Sequence, residues 1–431
     1  MAIYLDNAAT SFPKPSRVYE AMNDYMRRIG VSAGRGAYKL ALEADRVLYE
    51  ARSNLGRLFN VQDASRIIFT FNVTEALNLA IKGLLKEGDH VITTSLEHNA
   101  VWRPLKRLER EKGLKLTALP CPSGGPFNLR DLEEAIRPET KMIVMLHASN
   151  VTGALMPLEE VGKMARKKGI AFLVDAAQTA GAYPIDVEAM NIDLLAFTGH
   201  KGLMGPQGTG GLYIREGFEP EPLIEGGTGS ESALEEQPRV LPDRYEAGTQ
   251  NVVGLAGLKA AVEFLLETGV ENIRQKELEL LGYLHEGLKT VPGIEIYGPL
   301  DARRKIGVVS FNLPGVSAGE VAYVLDEVYG IMVRSGLHCS PCAHRSLGTL
   351  DRGAVRIGLG YFNTREDIDA LLAALRDISV DTHAAERHLQ KKENNGPAFV
   401  PSEGFGPRSK AALAKQRREG GAEDGKSEAD F

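Results

Sequence analysis

Between about residues 17 and 255, short aliphatic and β-branched runs alternate with stretches of helical periodicity. The runs at 91–94, 142–146, 171–174, 194–197 and 211–214 carry few polar side chains, which marks strands buried on both faces. Between them, 99–112, 129–136 and 158–168 are predicted helices. Leu77, Ala80, Ile81, Leu84 and Leu85 recur at the spacing of one apolar helix face. Such alternation points to an α/β architecture, a mostly parallel sheet with helices on both faces. In sheets of this kind ligands bind outside the carboxyl ends of the strands.

A helical region at 254–290 leads to a different pattern: strand at 308–311, helix at 318–328, strands at 331–333 and 355–358, helix at 365–377. This is a smaller α+β unit of domain size. The 431 residues suit a large domain with such a companion. The expected organisation is a segment 1–16 packing near the active site, a large domain over 17–255, a small domain over 256–379 and a tail over 380–431. The tail is rich in Lys, Glu, Gly and Ser and cannot bury enough surface to offset its ordering entropy, so it is expected to be disordered. Its basic cluster (Arg408, Lys410, Lys415, Arg417, Arg418) is a solvated tail or a docking segment.

The formal charge of -6 leaves no basic footprint for nucleic acid. No apolar run approaches the ~20 residues that span a bilayer, and Met1 to Asn7 lack a basic region followed by an apolar stretch, so no signal peptide is expected. Three cysteines, Cys121, Cys339 and Cys342, make no disulfide framework, so a reducing cytoplasm is expected.

The strand ends give the candidate site: His98-Asn99, His147 to Asn150, Asp175 to Gln178 and Thr198 to Lys201. Lys201 is a surface lysine or an imine-forming amine whose pKa is lowered by burial or a neighbouring cation. Asp175 closes the apolar Phe-Leu-Val-Asp; it is a helix N-cap or the partner of a buried cationic nitrogen, such as a pyridinium. Asn72 and Glu75 have capping-box spacing before a helix whose first amides and Thr74 hydroxyl suit an anion. His98 is structural or stacks on a flat ring, and Gly248 to Asn251 is a plain turn or a polar site loop.

Eight short motifs, in order, carry a resemblance covering roughly residues 1–378. They are Leu-Asp-Asn-Ala-Ala-Thr (from Leu5), Ser-Ala-Gly-Arg-Gly (Ser32), Glu-His-Asn-Ala (Glu97), Ser-Asn-Val-Thr-Gly (Ser149), Asp-Ala-Ala-Gln (Asp175), Thr-Gly-His-Lys (Thr198), Glu-Ala-Gly-Thr (Glu246) and Arg-Ser-Gly-Leu-His-Cys (Arg334). The chain resembles the class V aminotransferase-like enzymes of fold type I, in the cysteine desulfurase and selenocysteine lyase branch. The resemblance implies pyridoxal phosphate (PLP) as cofactor and a mostly parallel seven-stranded sheet in the large domain. It implies Lys201 as the Schiff-base lysine, Asp175 as the pyridine-nitrogen partner and His98 as the stacking base. Asn150 and Gln178 would bond the ring hydroxyl, while Thr74, Thr198 and His200 would hold the phosphate. Thr249 would reach the phosphate of a second subunit in a homodimer. Arg356 would clamp the substrate carboxylate, as Asn150 would help bind substrate; a guanidinium fork suits the clamp.

The lysine alone does not choose a reaction. Cys339 lies in a Gly/Ser/Pro-containing loop between 331–333 and Arg356, and in desulfurases the matching cysteine takes the substrate sulfur as a persulfide. The expected activity is conversion of L-cysteine to L-alanine with sulfur left on Cys339, the alternatives being selenocysteine lyase, another C–S lyase or an aminotransferase. A cation such as His338 or Arg356 is expected to favour the thiolate. The short interval from Arg334 to Arg356 resembles the desulfurases with a compact loop, which commonly pass sulfur to an acceptor protein.

Two residues depart from the pattern. Cys342 makes Cys-Ser-Pro-Cys with Cys339, open to a disulfide, relay or redox role or to none. With His338 and His344 it superficially resembles a zinc set, but structural zinc sites draw ligands from two separated clusters, so no metal is expected. Tyr38 stands where many relatives place histidine, near Arg35.

Overall fold

The apolar runs become the inner strands of a seven-stranded sheet. This computed structural model describes residues 2–34 and 36–380; Arg35, the tail expected to be disordered and its basic cluster lie outside the described residues. Across the sheet the order is Ile67–Thr70, Gly210–Ile214, Leu194–Thr198, Ala171–Asp175, Thr140–Leu146, His90–Thr94 and Lys115–Leu119. Neighbours are parallel except that Gly210–Ile214 runs antiparallel to both of its partners. The fold is thus the mostly parallel α/β arrangement expected.

Alternation explains why these strands read as continuous apolar runs. Ile143, Met145, Phe172, Val174, Leu195 and Phe197 enter the core on one face. Their neighbours Met142, Val144, Leu173, Leu194 and Ala196 enter the core on the other. With a period of two and a buried layer on each side, no position is left for a polar residue until the strand ends. The expected helices form as Asn99–Lys112, Leu129–Ala135 and Leu158–Lys168, and the face carrying Leu77 and Ile81 belongs to Val73–Leu84.

A second sheet is antiparallel, in the order Arg334–Gly336, Ala354–Gly358, Val308–Asn312, Glu295–Tyr297. The chain's beginning ties it to the first sheet's end. Ile3–Tyr4 pairs in parallel with Ile331–Met332, the Asn7 amide donates to the Gly358 carbonyl and the Ser11 amide donates to the His200 carbonyl. Among the described residues no helix is long and apolar enough to cross a membrane.

The structure corrects one element. The single helical region expected at 254–290 is two helices, Val252–Thr268 and Val270–Leu288, parted at Gly269 with φ 82°. Apolar spacing continues through the break, so only the positive φ, open to glycine at little cost, marks it.

A buried ion pair fixes the loop before Val252–Thr268. Arg52 makes a two-pronged bond to Glu246 (2.7 and 2.9 Å), lies 4.3 Å over the Phe69 ring and donates to the Ile67 carbonyl. The same carboxylate accepts the Phe69 amide at 2.6 Å. Replacing Glu246 by alanine leaves a buried guanidinium and amide unmatched. It is expected to cost about 3–5 kcal/mol, read as a lowered denaturation midpoint; an unchanged midpoint would remove the pair's structural role.

Candidate active site

The strand ends converge as the sheet topology requires. His98, Asn150, Asp175, Gln178 and Lys201 line one cavity of about 350 Å³. His98 also lines an adjoining opening of about 850 Å³ that holds Thr74 and Cys339. Five of the expected residues therefore share one chamber, and the expected nucleophile faces its antechamber.

Electrostatics separate the roles within the chamber. Lys201 touches the cavity with part of its side chain, yet protein encloses its amine; burial, then the Arg356 guanidinium, push its pKa down from 10.5 to about 8. A sizeable neutral fraction near pH 7 is what a nucleophilic or basic lysine needs. Asp175 is 5% exposed and its carboxyl is raised by burial, while the Ala177 amide at 2.9 Å and Lys201 pull it back. A buried carboxylate so placed favours a cationic nitrogen in the same cavity.

His98 is neutral. Burial, then Lys201, lower its pKa to about 4, and its Nδ1 accepts the Ala100 amide at 3.0 Å, so the proton sits on Nε2. The ring caps the helix Asn99–Lys112. Beneath it Glu97 is fully buried with its pKa raised to about 8, accepting the Thr94 hydroxyl (2.7 Å) and the Leu146 amide (3.2 Å). It is a neutral prop at pH 7.

The residues expected at the phosphate have hydrogen-bonding capacity to spare. Among the described residues Thr198 Oγ1 and His200 Nδ1 are buried without a partner, a costly state that an added polar group would relieve. Asn72 takes the Glu75 amide at 3.1 Å, and Glu75 takes the Phe71 amide at 2.6 Å rather than that of Asn72. The box is thus shifted by one residue, and the Val73 and Thr74 amides remain for other partners. Gln178 donates to the Ala8 carbonyl at 3.0 Å. Thr249 is exposed and does not line the chamber.

Arg356 is 1% exposed and sits mid-strand. It bonds Asp6 at 2.7 Å and the Asn150 carbonyl at 3.1 Å, with Nε unpartnered. Its cross-strand partner is Arg334, which no expectation assigned a role. Like charges directly opposite destabilise a sheet, so this pair is built to receive anions: Asp6 answers one, and Arg334 Nη2 lies 3.8 Å from Cys339 Sγ. The nearest cation to the sulfur is thus Arg334. His338 is not one, because burial, then Arg356, push its pKa down to about 2.

Cys339 is exposed, whereas Cys342 is buried with its thiol pKa raised by burial. His338 and Cys339 both hold left-handed backbone, φ 49° and 60°. Each costs on the order of 1–3 kcal/mol, a strain kept only where surrounding bonds enforce it. His338 Nε2 donates to the Ala354 carbonyl, and His344 Nδ1 pairs with Thr349. Among the described residues no cluster of three or more His, Cys, Asp or Glu side chains could hold a metal.

The family model for class V aminotransferases matches residues 3–371. The chain belongs to that family. Within it, its relatives include cysteine desulfurases. One from Pyrococcus abyssi, described as a probable cysteine desulfurase, is 39% identical over 87% of this chain and 94% of its own. Another with that description, from Methanothermobacter thermautotrophicus, is 37% identical over 88% and 94%. The apo cysteine desulfurase of Thermococcus onnurineus superposes with a TM-score of 0.83 at 37% identity, covering 88% and 95%. Family members are PLP enzymes, and the chamber could hold that group: a low-pKa lysine, a buried carboxylate and orphaned polar atoms beside the lysine are the groups that would meet its aldehyde, ring nitrogen and phosphate.

Proposed function

We propose that the chain is a PLP-dependent cysteine desulfurase that converts L-cysteine to L-alanine and leaves the sulfur as a persulfide on Cys339. The observation that carries this reading is the exposed thiol beside the Arg334 guanidinium, at the mouth of the chamber containing Lys201.

PLP supplies an electron sink for the charge left at the substrate Cα. Lys201 would anchor the cofactor and, as a partly neutral amine, take the Cα proton. Asp175 would hold the ring nitrogen, and the neutral His98 ring would pack against the ring. Asn150 and Gln178 would hold the ring hydroxyl; Thr74, Thr198 and His200 would hold the phosphate, with Thr249 from a second subunit. Arg356 orients the substrate carboxylate, and the Arg334 guanidinium lies 3.8 Å from Cys339 Sγ. That sulfur attacks the substrate Sγ: an S–S bond forms, the Cβ–Sγ bond breaks with its electron pair staying on carbon, and protonation there gives alanine. The sum is cysteine plus thiol to alanine plus persulfide. The persulfide then passes to an acceptor thiol for cofactor assembly.

Incubating the purified holoprotein with L-cysteine, without reductant, should give alanine and a Cys339 peptide heavier by one sulfur atom. Sulfide, pyruvate and ammonia without that mass change would favour a C–S lyase in which the thiol takes no part. Transamination products would favour an aminotransferase.

A further inference from the structure

One side chain brackets the nucleophile. Asn150 donates from Nδ2 to the His338 carbonyl at 2.8 Å and accepts from Ser340 Oγ at 2.8 Å. The bonds fall on the residues immediately before and after Cys339, and they use opposite ends of one amide. His338 and Ser340 are 3% and 0% exposed, while Cys339 between them is open to solvent. A third bond, from the Asn99 amide to the Cys339 carbonyl at 2.9 Å, comes from the helix capped by His98.

The bracket has work to do because two consecutive non-glycine residues are held left-handed. Such a pair persists only where outside bonds over-determine it. Asn150 supplies them from the large sheet, since it follows the strand Thr140–Leu146 and lines the chamber with Asp175 and Lys201. Its own carbonyl accepts from Arg356 Nη1 at 3.1 Å. One residue thus touches the chamber, the expected carboxylate clamp and both flanks of the sulfur nucleophile. An amide nitrogen carries two hydrogens, so the one given to His338 leaves another for a ligand in the chamber.

We propose that Asn150, beyond any contact with the cofactor, is a positioning residue for sulfur transfer, holding Cys339 Sγ in line with the chamber by clamping His338 and Ser340. This rests on the desulfurase reading. Sulfur attack needs collinear approach along the Cβ–Sγ bond, and a displacement of about 1 Å costs roughly a hundredfold in rate. Proton removal at Cα uses Lys201 and does not need the loop. The two steps should therefore separate.

The test uses holoenzyme carrying Asn150→Ala or Ser340→Ala. It compares persulfide formation from L-cysteine with deuterium uptake at Cα of L-alanine, a sulfur-free probe. It also follows amide hydrogen exchange of the peptide spanning Leu337 to Pro341. The expected result is a ratio of sulfur transfer to Cα exchange lowered roughly a hundredfold for Asn150→Ala and less for Ser340→Ala. The loop peptide should exchange faster in both. Ser340→Ala decides the matter if Asn150→Ala does not fold, because it removes one bond without changing the chamber wall. Equal loss of both reactions, or loop exchange unchanged from wild type, overturns the proposal. Should wild type form no persulfide, the desulfurase reading falls, and unchanged loop exchange in the variants would separately overturn the clamp.

Discussion

Lys201→Ala is expected to fold, to release its cofactor on gel filtration and to lose turnover by at least roughly 10²–10⁴-fold, the range for removal of a positioned base alone. The side chain borders an existing cavity, and truncation removes a charge that burial disfavours. Borohydride should fix cofactor to the Lys201 peptide of wild type and to no peptide of the variant. Trapping on another lysine of the variant would sink the assignment. The wild-type apoprotein carries a second signature. Because the amine is depressed to about 8, its neutral, nucleophilic fraction grows as pH rises towards that value and saturates above it. Reloading with cofactor should therefore accelerate up to about pH 8 and then level. An ordinary lysine near 10.5 would keep accelerating well beyond.

The large sheet was legible because burial on both faces leaves an unmistakable trace. Phe172-Leu173-Val174 feeds two cores by turns, so the run stays apolar until Asp175, where the chain meets the chamber. The strands that left no trace are at edges. Lys115–Leu119 buries only Leu119 fully, and Glu295–Tyr297 has three residues, none fully buried. The orientation of Gly210–Ile214 was equally hidden. An antiparallel strand in the sheet interior has the same composition as a parallel one, and direction depends on where the chain comes from.

The chamber was legible through strand ends and motif order, and its electrostatics were not. Nothing in Thr-Gly-His-Lys says that burial and a guanidinium far along the chain would depress Lys201; Arg356 reaches it only through the second sheet. Arg334 lay in a quoted motif without a role because its meaning comes from register. It faces Arg356 across two strands, and that pairing makes sense once an anion is placed between them. Proximity in sequence suggested His338 as the cation near the thiol, but depth of burial decides its charge, and depth is a tertiary property.

Cys339→Ala should keep the cofactor spectrum and Cα exchange while sulfur transfer falls by roughly three orders of magnitude or more, as expected when a nucleophile that acts with its site as a unit is deleted. The reason lies in what the other groups can do without it. In the proposed mechanism Lys201, Asp175 and Arg356 act on the carbon end of the substrate, and none of them attacks sulfur. The other thiols cannot stand in. Cys342 is buried, Cys121 is buried with its pKa pushed up to about 11 by burial, and both are held as neutral thiols. Cys342→Ala is therefore expected to turn over like wild type, which makes it the control for the Cys-Ser-Pro-Cys pair. If Cys339→Ala still frees sulfide at the wild-type rate, with pyruvate and ammonia in place of alanine, the chemistry is an elimination directed from Lys201 alone. If Cys342→Ala fails as badly as Cys339→Ala, sulfur leaves through a relay and the two thiols share the persulfide. Retention of Cα exchange by Cys339→Ala, with sulfur transfer gone, would place the division of labour where the structure draws it: carbon chemistry inside the chamber, sulfur chemistry at its mouth.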